Sequence, residues 1–344
     1  MTMKKDTIKR YMIAALTGAV FLGAVPVYAA AEDQNIAAQN STAFSSGSAS
    51  DAMFTERDLA CTPDLSEATN YEVKDGDDIV ITEAGVYVLS GTAENTAIRV
   101  EAGDEDKVQL VLDDLSVTNT DTPCIYVKSA DKVFVTTISD STLAVTGTFT
   151  ADGDTNTDGV LFSRSDLVLN GTAALMINST DNGVVSKDDL KVTGGTYTVS
   201  AVSKAFEAND SVGIAGGTFD IAAAEGIEGT YVLINGGTIG IEAADDGINA
   251  SFQSDAYQPA IEINGGEITV TMASGDTDGI DSNGDLTITG GSVDVTGPSS
   301  FDIDGSITFT GGTVIVNGQQ VATIPAQMMG RGFGRPGGHS FPIR

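Results

Sequence analysis

The chain has no tryptophan, one histidine, two cysteines and eight prolines in 344 residues. Beyond the first thirty residues no stretch repeats its apolar positions at helical spacing, so no helix is available for the crossovers of a βαβ sheet. Clusters of thiolate or imidazole are lacking, which excludes a zinc centre. Positive charge is scarce: 17 Lys and Arg against 48 Asp and Glu, for a net charge of −31. No Lys, Arg or His occurs between Ala205 and Gly330. Such a balance excludes nucleic acid and anionic membranes as partners. It also repels uronic-acid polymers, unless divalent cations stand between the two. Long apolar runs are missing as well, except Tyr11 to Val25, which is short for a bilayer span of ~20 residues.

That run follows Lys4, Lys5, Lys9 and Arg10 and precedes Val27-Tyr28-Ala29, the pattern of a secretory signal peptide with its cleavage site. A membrane anchor is the alternative, and no Cys near the cleavage site offers a lipid attachment. The expected organisation is a signal peptide over 1–31, a flexible Ala/Ser/Asn-rich linker over 32–56, one folded domain over 57–318 and a Gly- and Arg-containing tail over 319–344. The exported chain would carry roughly −34, once four cations and Asp6 leave with the signal. Export also favours pairing of Cys61 with Cys124 in a disulfide, worth ~4 kcal/mol in the chain-entropy model.

What the sequence does have is a repeat. Gly194-Gly195-Thr196, Gly216-Gly217-Thr218, Gly236-Gly237-Thr238, Gly265-Gly266-Glu267, Gly290-Gly291-Ser292 and Gly311-Gly312-Thr313 each follow a short apolar segment, with Asn170-Gly171-Thr172 a degenerate first copy. Successive copies lie 24, 22, 20, 29, 25 and 21 residues apart. Alternating segments such as Val232-Leu233-Ile234 and Val293-Asp294-Val295 flank them and read as strands. A β-sandwich uses longer strands and does not repeat a corner at this interval. Coils of about twenty residues with three short strands do, so the spacing predicts an all-β, right-handed parallel β-helix of nine or so coils. The absence of Trp suits its narrow interior. Residues 57–166 are strand-rich with less regular turns and are expected to form irregular capping coils.

A second element follows each Gly-Gly-Thr strand: Asp181-Asn182-Gly183-Val184, Lys204-Ala205-Phe206-Glu207, Glu225-Gly226-Ile227-Glu228, Asp245-Asp246-Gly247-Ile248-Asn249, Asp278-Gly279-Ile280-Asp281 and Phe301-Asp302-Ile303-Asp304. If Val184, Phe206, Ile227, Ile248, Ile280 and Ile303 point inward, then Val185, Glu207, Glu228, Asn249, Asp281 and Asp304 point outward in one column. Glu225, Asp246 and Asp278 form its neighbour, with Asp245 beside them. Stacked carboxylates ~5 Å apart repel by ~3 kcal/mol per pair at an effective dielectric of 20. A bridging hard cation relieves this, and Ca²⁺ tolerates irregular all-oxygen sites; a solvated acidic face with loose sodium is the alternative. Asp152-Gly153-Asp154-Thr155-Asn156 has the look of a calcium loop, but the downstream Glu and flanking helices of an EF-hand are missing.

Lys107 to Asp113, Ile125 to Val133, Ser186-Lys187-Asp188-Asp189-Leu190, Glu225 to Gly229, Ala244 to Ala250 and Asp278 to Gly284 together resemble a clostridial-type family of extracellular carbohydrate-binding β-helix proteins, similar in structure to pectate lyases. The resemblance covers roughly 57–318. It implies calcium at the acidic positions of the Asp-Gly-Ile-type turns, and binding of cellulose and polygalacturonic acid without established catalysis. Lys204-Ala205-Phe206 departs from the acidic turn and weakens one metal position.

Three functions remain to be separated. A calcium-dependent lyase needs a basic group to take the proton next to a metal-bound carboxylate; only Lys187, Lys191 and Lys204 lie near the columns, and charge balance accounts for them. A binder would hold uronates through the remaining coordination sites of Ca²⁺, or neutral glucan on aromatic faces. Phe252 and Tyr257 lie in the insertion that lengthens one repeat to 29 residues and are the candidate sugar contacts. An adhesin or matrix protein would use Ca²⁺ only to stiffen the rod.

Overall fold

In a computed structural model of the chain, residues 53–275 and 277–325 are described. The expected signal peptide, most of the linker and most of the tail lie outside them. Thr55 onward forms one compact unit.

The unit is a parallel β-solenoid of about ten turns without helices among the described residues. One coil shows the plan. The chain runs along a first face at Leu190–Val192, turns at Gly194-Gly195, follows a second face at Thr196–Ala201 and a third at Lys204–Ala208. It then returns to the first face at Ser211–Ile214, where Leu190 pairs with Val212 in parallel register. Each strand therefore hydrogen-bonds to the strand one coil away rather than to its neighbour in sequence, which is how three-residue strands become stable.

The Gly-Gly corner is where the sequence forces the turn. The second glycine has φ of 96°, 116°, 101°, 93°, 77° and 83° at Gly195, Gly217, Gly237, Gly266, Gly291 and Gly312, a region that L side chains rarely enter. A Cβ on Gly312 would also stand 2.6 Å from the Gly291 carbonyl oxygen of the previous coil.

Inward positions form continuous files. On the third face Ile98, Ile125, Leu161, Val184, Phe206, Ile227, Ile248, Ile280 and Phe301 are all buried and lie in register from coil to coil. Coils before residue 166 follow the same three-face plan, with turns that differ: Lys107–Asn119 rounds a corner as one strand, and Asn95 and Asp114 take positive φ there. At the far end the fold runs past residue 318. Asn317 and Gly318, with φ of 51° and 77°, make a two-residue hairpin turn, and Gln319–Val321 folds back antiparallel onto Thr313–Val316.

Before the first strand, residues 55–61 lie against the first face. The Asp58 carboxylate is fully buried between Lys132 at 3.5 Å and Lys191 at 3.7 Å, and the Arg57 guanidinium stands 4.5 Å above the Phe134 ring.

Candidate acidic site on the third face

The outward positions of the third face are fixed by the inward ones, because side chains alternate along a strand. One column runs Val185, Glu207, Glu228, Asn249, Asp281 and Asp302. Its neighbour runs Lys204, Glu225, Asp246, Asp278 and Ser299. Asp304 is not in the first column: Ile280 pairs with Phe301, so Asp302 faces Asp281. The expected register was two residues out, because Phe301 and Ile303 both point inward and alternation alone does not choose between them. Asp304 stays close enough to raise the pKa of Asp281. Asp245 occupies an extra residue: Ala223 pairs with Ala243 but Glu225 with Asp246, so two residues in one coil oppose one in the other.

The N-terminal half of the file is neutralised by the protein itself. Glu228 is in contact with the Lys204 ammonium and accepts hydrogen bonds from Ser251 Oγ and Gln253 Nε2, both at 2.8 Å. Glu207 accepts from Lys187 Nζ at 3.3 Å and Asn182 Nδ2 at 3.2 Å, with Lys204 4.0 Å away. Lys204 and Lys187 thus serve as counter-ions. Burial pulls the Lys204 pKa down, but Glu207 and Glu228 outweigh it and the net direction is up, so this amine stays charged. Lys191 belongs to Asp58 instead.

Lys204 reaches only the first residue of the C-terminal half, Glu225; Asp246, Asp278 and Asp281 have no lysine or arginine partner among the described residues. Burial, then Glu228, Asp246 and Asp245, push Glu225 up to about 7 against the opposing pull of Lys204. Burial with Asp281, Asp245 and Asp278 takes Asp246 to about 7. Burial with Asp278, Asp302, Asp304 and Glu225 takes Asp281 to about 7. Buried oxygens here lack hydrogen-bond partners: Glu225 Oε2, Asn249 Oδ1 and Asp278 Oδ1. Unsatisfied acceptors in a half-buried acidic environment are costly, and a hard cation takes oxygen ligands of this kind. The residues fit such an ion by chemistry.

A further acidic cluster went unnoticed in the sequence. Among the described residues, carboxylate oxygens of three residues come within 4.8 Å of one another at Asp188, Asp189 and Asp210, not in the third-face file. They sit where the third face turns into the first. Burial, then Asp166, Asp189 and Asp210, raise Asp188 to about 6, while Ser211 Oγ donates to Asp189 at 2.6 Å. The signal was present as Lys187-Asp188-Asp189 followed one coil later by Asn209-Asp210-Ser211. Asp188, Asp189 and Asp210 lie in the turn between the third-face and first-face strands, outside the element that follows each Gly-Gly-Thr strand, so the repeat does not mark them.

Other expected sites resolve as follows. Cys61 and Cys124 are both free thiols, so the expected disulfide does not form. Cys61 Sγ lies 3.8 Å from the Thr193 carbonyl against the first face, whereas Cys124 is buried in the solenoid with Sγ 3.3 Å from Ala144 O. Asp152 of the calcium-like loop is engaged by Lys128 at 3.0 Å and by Tyr126 Oη at 3.2 Å. Phe252 is 62% exposed, while Tyr257 stacks on Tyr231 with ring centroids 5.5 Å apart.

Comparison with known proteins bears on the chain as a whole. Residues 75–321 match the family described as carbohydrate-binding domain-containing protein. A curated protein of that description from Acetivibrio thermocellus is 35% identical over 129 residues, covering 36% of this chain and 45% of its own length. The chain therefore spans less than half of that relative. A solved structure described as the polysaccharide lyase-like protein from C. thermocellum, gadolinium derivative, superposes with a TM-score of 0.56 at 26% identity, over 71% of this chain and 98% of the other. With most of the solenoid inside the matched range, the chain belongs to the carbohydrate-binding domain-containing family.

Proposed function

We propose that this protein is exported and binds acidic plant cell-wall polysaccharide through calcium held on the C-terminal half of the third face, without catalysing a reaction on it. The observation that carries the reading is the run of Asp246, Asp278 and Asp281, without a lysine or arginine partner among the described residues, continued by Glu225 at the edge of Lys204's reach, with buried oxygens of Glu225 and Asp278 that lack hydrogen-bond partners. Those four residues, with Asn249 Oδ1, Asp245 and Asp302, would hold the ion. Bound calcium supplies positive charge and open coordination positions to which a sugar carboxylate can attach. The chain's own share is to hold the carboxylates in register and to keep Lys204 and Lys187 committed to Glu207 and Glu228. Family membership supports polysaccharide as ligand class, and the relative's gadolinium is a hard, oxygen-seeking cation.

Lyase chemistry is the second reading, favoured by the description of the solved relative. Against it stand the three lysines, each already ion-paired: Lys187 and Lys204 with the glutamates and Lys191 with Asp58. None is poised as a base. Phe252, exposed beside Gln253, is the candidate contact for a neutral glucan such as cellulose.

The test is retention on insoluble polygalacturonate and on cellulose, with calcium or with chelator. Calcium-dependent retention on polygalacturonate, abolished in Asp246→Asn/Asp281→Asn, is the expected result. Retention on neither polymer under either condition would leave the rod as an adhesin or matrix element. Ultraviolet-absorbing unsaturated products would establish the lyase.

A further inference from the structure

Lys204 shows which cation the third-face file takes when the chain itself supplies one. Its ammonium, carried by the neighbour column, touches Glu228 in the first column one coil on and stands 4.0 Å from Glu207 in its own coil. Glu225, which follows Lys204 in the neighbour column, adds to the pull on it. The ammonium therefore sits between the columns, held by two residues of the first and one of the neighbour.

The coils repeat in parallel register, so that position repeats as well. Moved one coil along, it meets Glu228 again, which Lys204 already neutralises. Moved two coils, it falls among Asn249, Asp281 and Asp278. Moved three, it falls among Asp281, Asp302 and Ser299. In neither of these last two slots does the chain provide a cation, since no Lys, Arg or His occurs between Ala205 and Gly330.

Those two slots are also where acceptors are left open. Asn249 Oδ1, Asp278 Oδ1 and Ser299 Oγ are buried without a hydrogen-bond partner. Asn249 and Ser299 are only 8% and 7% exposed, yet both take outward places in the file, Ser299 in the register position of Asp278. An unmatched buried acceptor is costly. An ammonium has three N–H donors and no acceptor, which suits a slot of three oxygen-bearing side chains. Asp278, Asp281 and Asp302 are half-buried rather than sealed, so the slots open outward. Calcium would draw on oxygens of both slots, so the two occupants exclude each other.

We propose that the metal-free file binds a polysaccharide carrying free amines, an amino-sugar polymer, with sugar ammonium groups in the two slots as Lys204 lies in its own. The inference rests on the polysaccharide-binding reading for its ligand class, but not on calcium. With a net charge of −31, the chain attracts a cationic polymer where it repels a uronate. A lysine-rich peptide offers the same ammonium, but family membership favours a carbohydrate. The slots lie one coil apart, about 4.8 Å, so a ligand with amines in series gains from filling both.

Calorimetric titration of the full chain with a short glucosamine oligomer, in chelator near neutral pH, tests this. The wild type should bind it and should not bind the N-acetylated oligomer of equal length. Asp278→Asn/Asp281→Asn should weaken binding about tenfold or more. Asp188→Asn/Asp210→Asn removes the same charge outside the file and should bind as the wild type does. No binding by the wild type, equal binding of the N-acetylated oligomer, undiminished binding by Asp278→Asn/Asp281→Asn, or an equal loss in Asp188→Asn/Asp210→Asn overturns the proposal. So does binding of a lysine peptide of equal charge without binding of the oligomer. Should the file variant fail to fold, the wild type's choice between the free and the N-acetylated oligomer decides alone. Calcium uptake by a protein that ignores the oligomer would sink this inference only; oligomer binding that calcium does not displace would sink the calcium reading only.

Discussion

Lys204 shows how one residue changes what an acidic column can do. It stands in the place taken by Glu225, Asp246 and Asp278 in later coils, and reaches Glu228 and Glu207. Lys204→Met should destabilise the protein by about 3 kcal/mol, the scale of leaving a buried partner charge unpaired, read as a lower urea midpoint in chelator. A surface lysine of no consequence would leave the midpoint unchanged. The cysteines give a second residue-scale outcome. Burial pushes the Cys124 thiol up to about 12, and Cys61 is only half-buried. A thiol reagent should therefore modify Cys61 alone in the native protein and both residues after unfolding without reductant. An even cysteine count behind a signal-peptide-like N-terminus suggested a bridge, but counting carries no geometry. Cys61 lies against Gly194 on the first face, and Cys124 faces the interior.

Among the elements, the glycine of the Asp-Gly-Ile turns is set by close approach between coils. A Cβ on Gly247 would lie 2.4 Å from Gly279 O and 2.5 Å from Val270 Cγ1. Overpacking of this kind costs about 1–3 kcal/mol, or roughly 2–4 °C of Tm for each kcal/mol in a protein of this size. Gly247→Ala should show that loss, whereas Gly240→Ala should not, since its added carbon meets only Phe219 O at an ordinary 3.5 Å. Equal Tm values for the two variants would contradict the coil packing. The regular corners were legible because a Gly-Gly pair recurs at six of them, the second glycine at positive φ each time; the corners at Asn95 and Asp114 carry no such pair. Register was legible only where one inward residue stood out. Ile227, Ile248 and Ile280 align without ambiguity, but Phe301-Asp302-Ile303-Asp304 offers two settings, and only pairing with the previous coil selects Phe301. The C-terminal hairpin was signalled by Asn317-Gly318 and passed over because the repeat ended there.

For the whole molecule, the raised carboxylates on the acidic half of the third face make stability depend on pH, and the calcium proposed there would add a second dependence. Glu225, Asp246 and Asp281 have folded pKa values raised to about 7, above the ordinary carboxylate range near 4. The folded state therefore binds more protons between the two values, and their contribution is fully present below about pH 4 and lost as pH rises through about 7. Metal-free protein should lose Tm between pH 4.5 and 7.5; a net change of about 2 kcal/mol corresponds to roughly 4–8 °C. Added calcium should restore Tm more at pH 7.5 than at pH 5, because the ion replaces protons. A Tm that rises with pH in chelator would contradict the raised pKa values. Charge imbalance was visible in composition alone, but which carboxylates lack partners was not, since Ser251, Gln253 and Lys187 reach Glu228 and Glu207 from other strands and loops.

The central claim is that a divalent ion belongs to Glu225, Asp246, Asp278 and Asp281. Calorimetric titration of calcium into the metal-free protein at neutral pH, beside Asp246→Asn/Asp281→Asn and Asp188→Asn/Asp210→Asn, tests it most directly. Saturable uptake with proton release, lost in the first double variant and kept in the second, is the predicted result. Unchanged uptake in Asp246→Asn/Asp281→Asn, or its loss only in Asp188→Asn/Asp210→Asn, would move the ion off the third face and contradict the account.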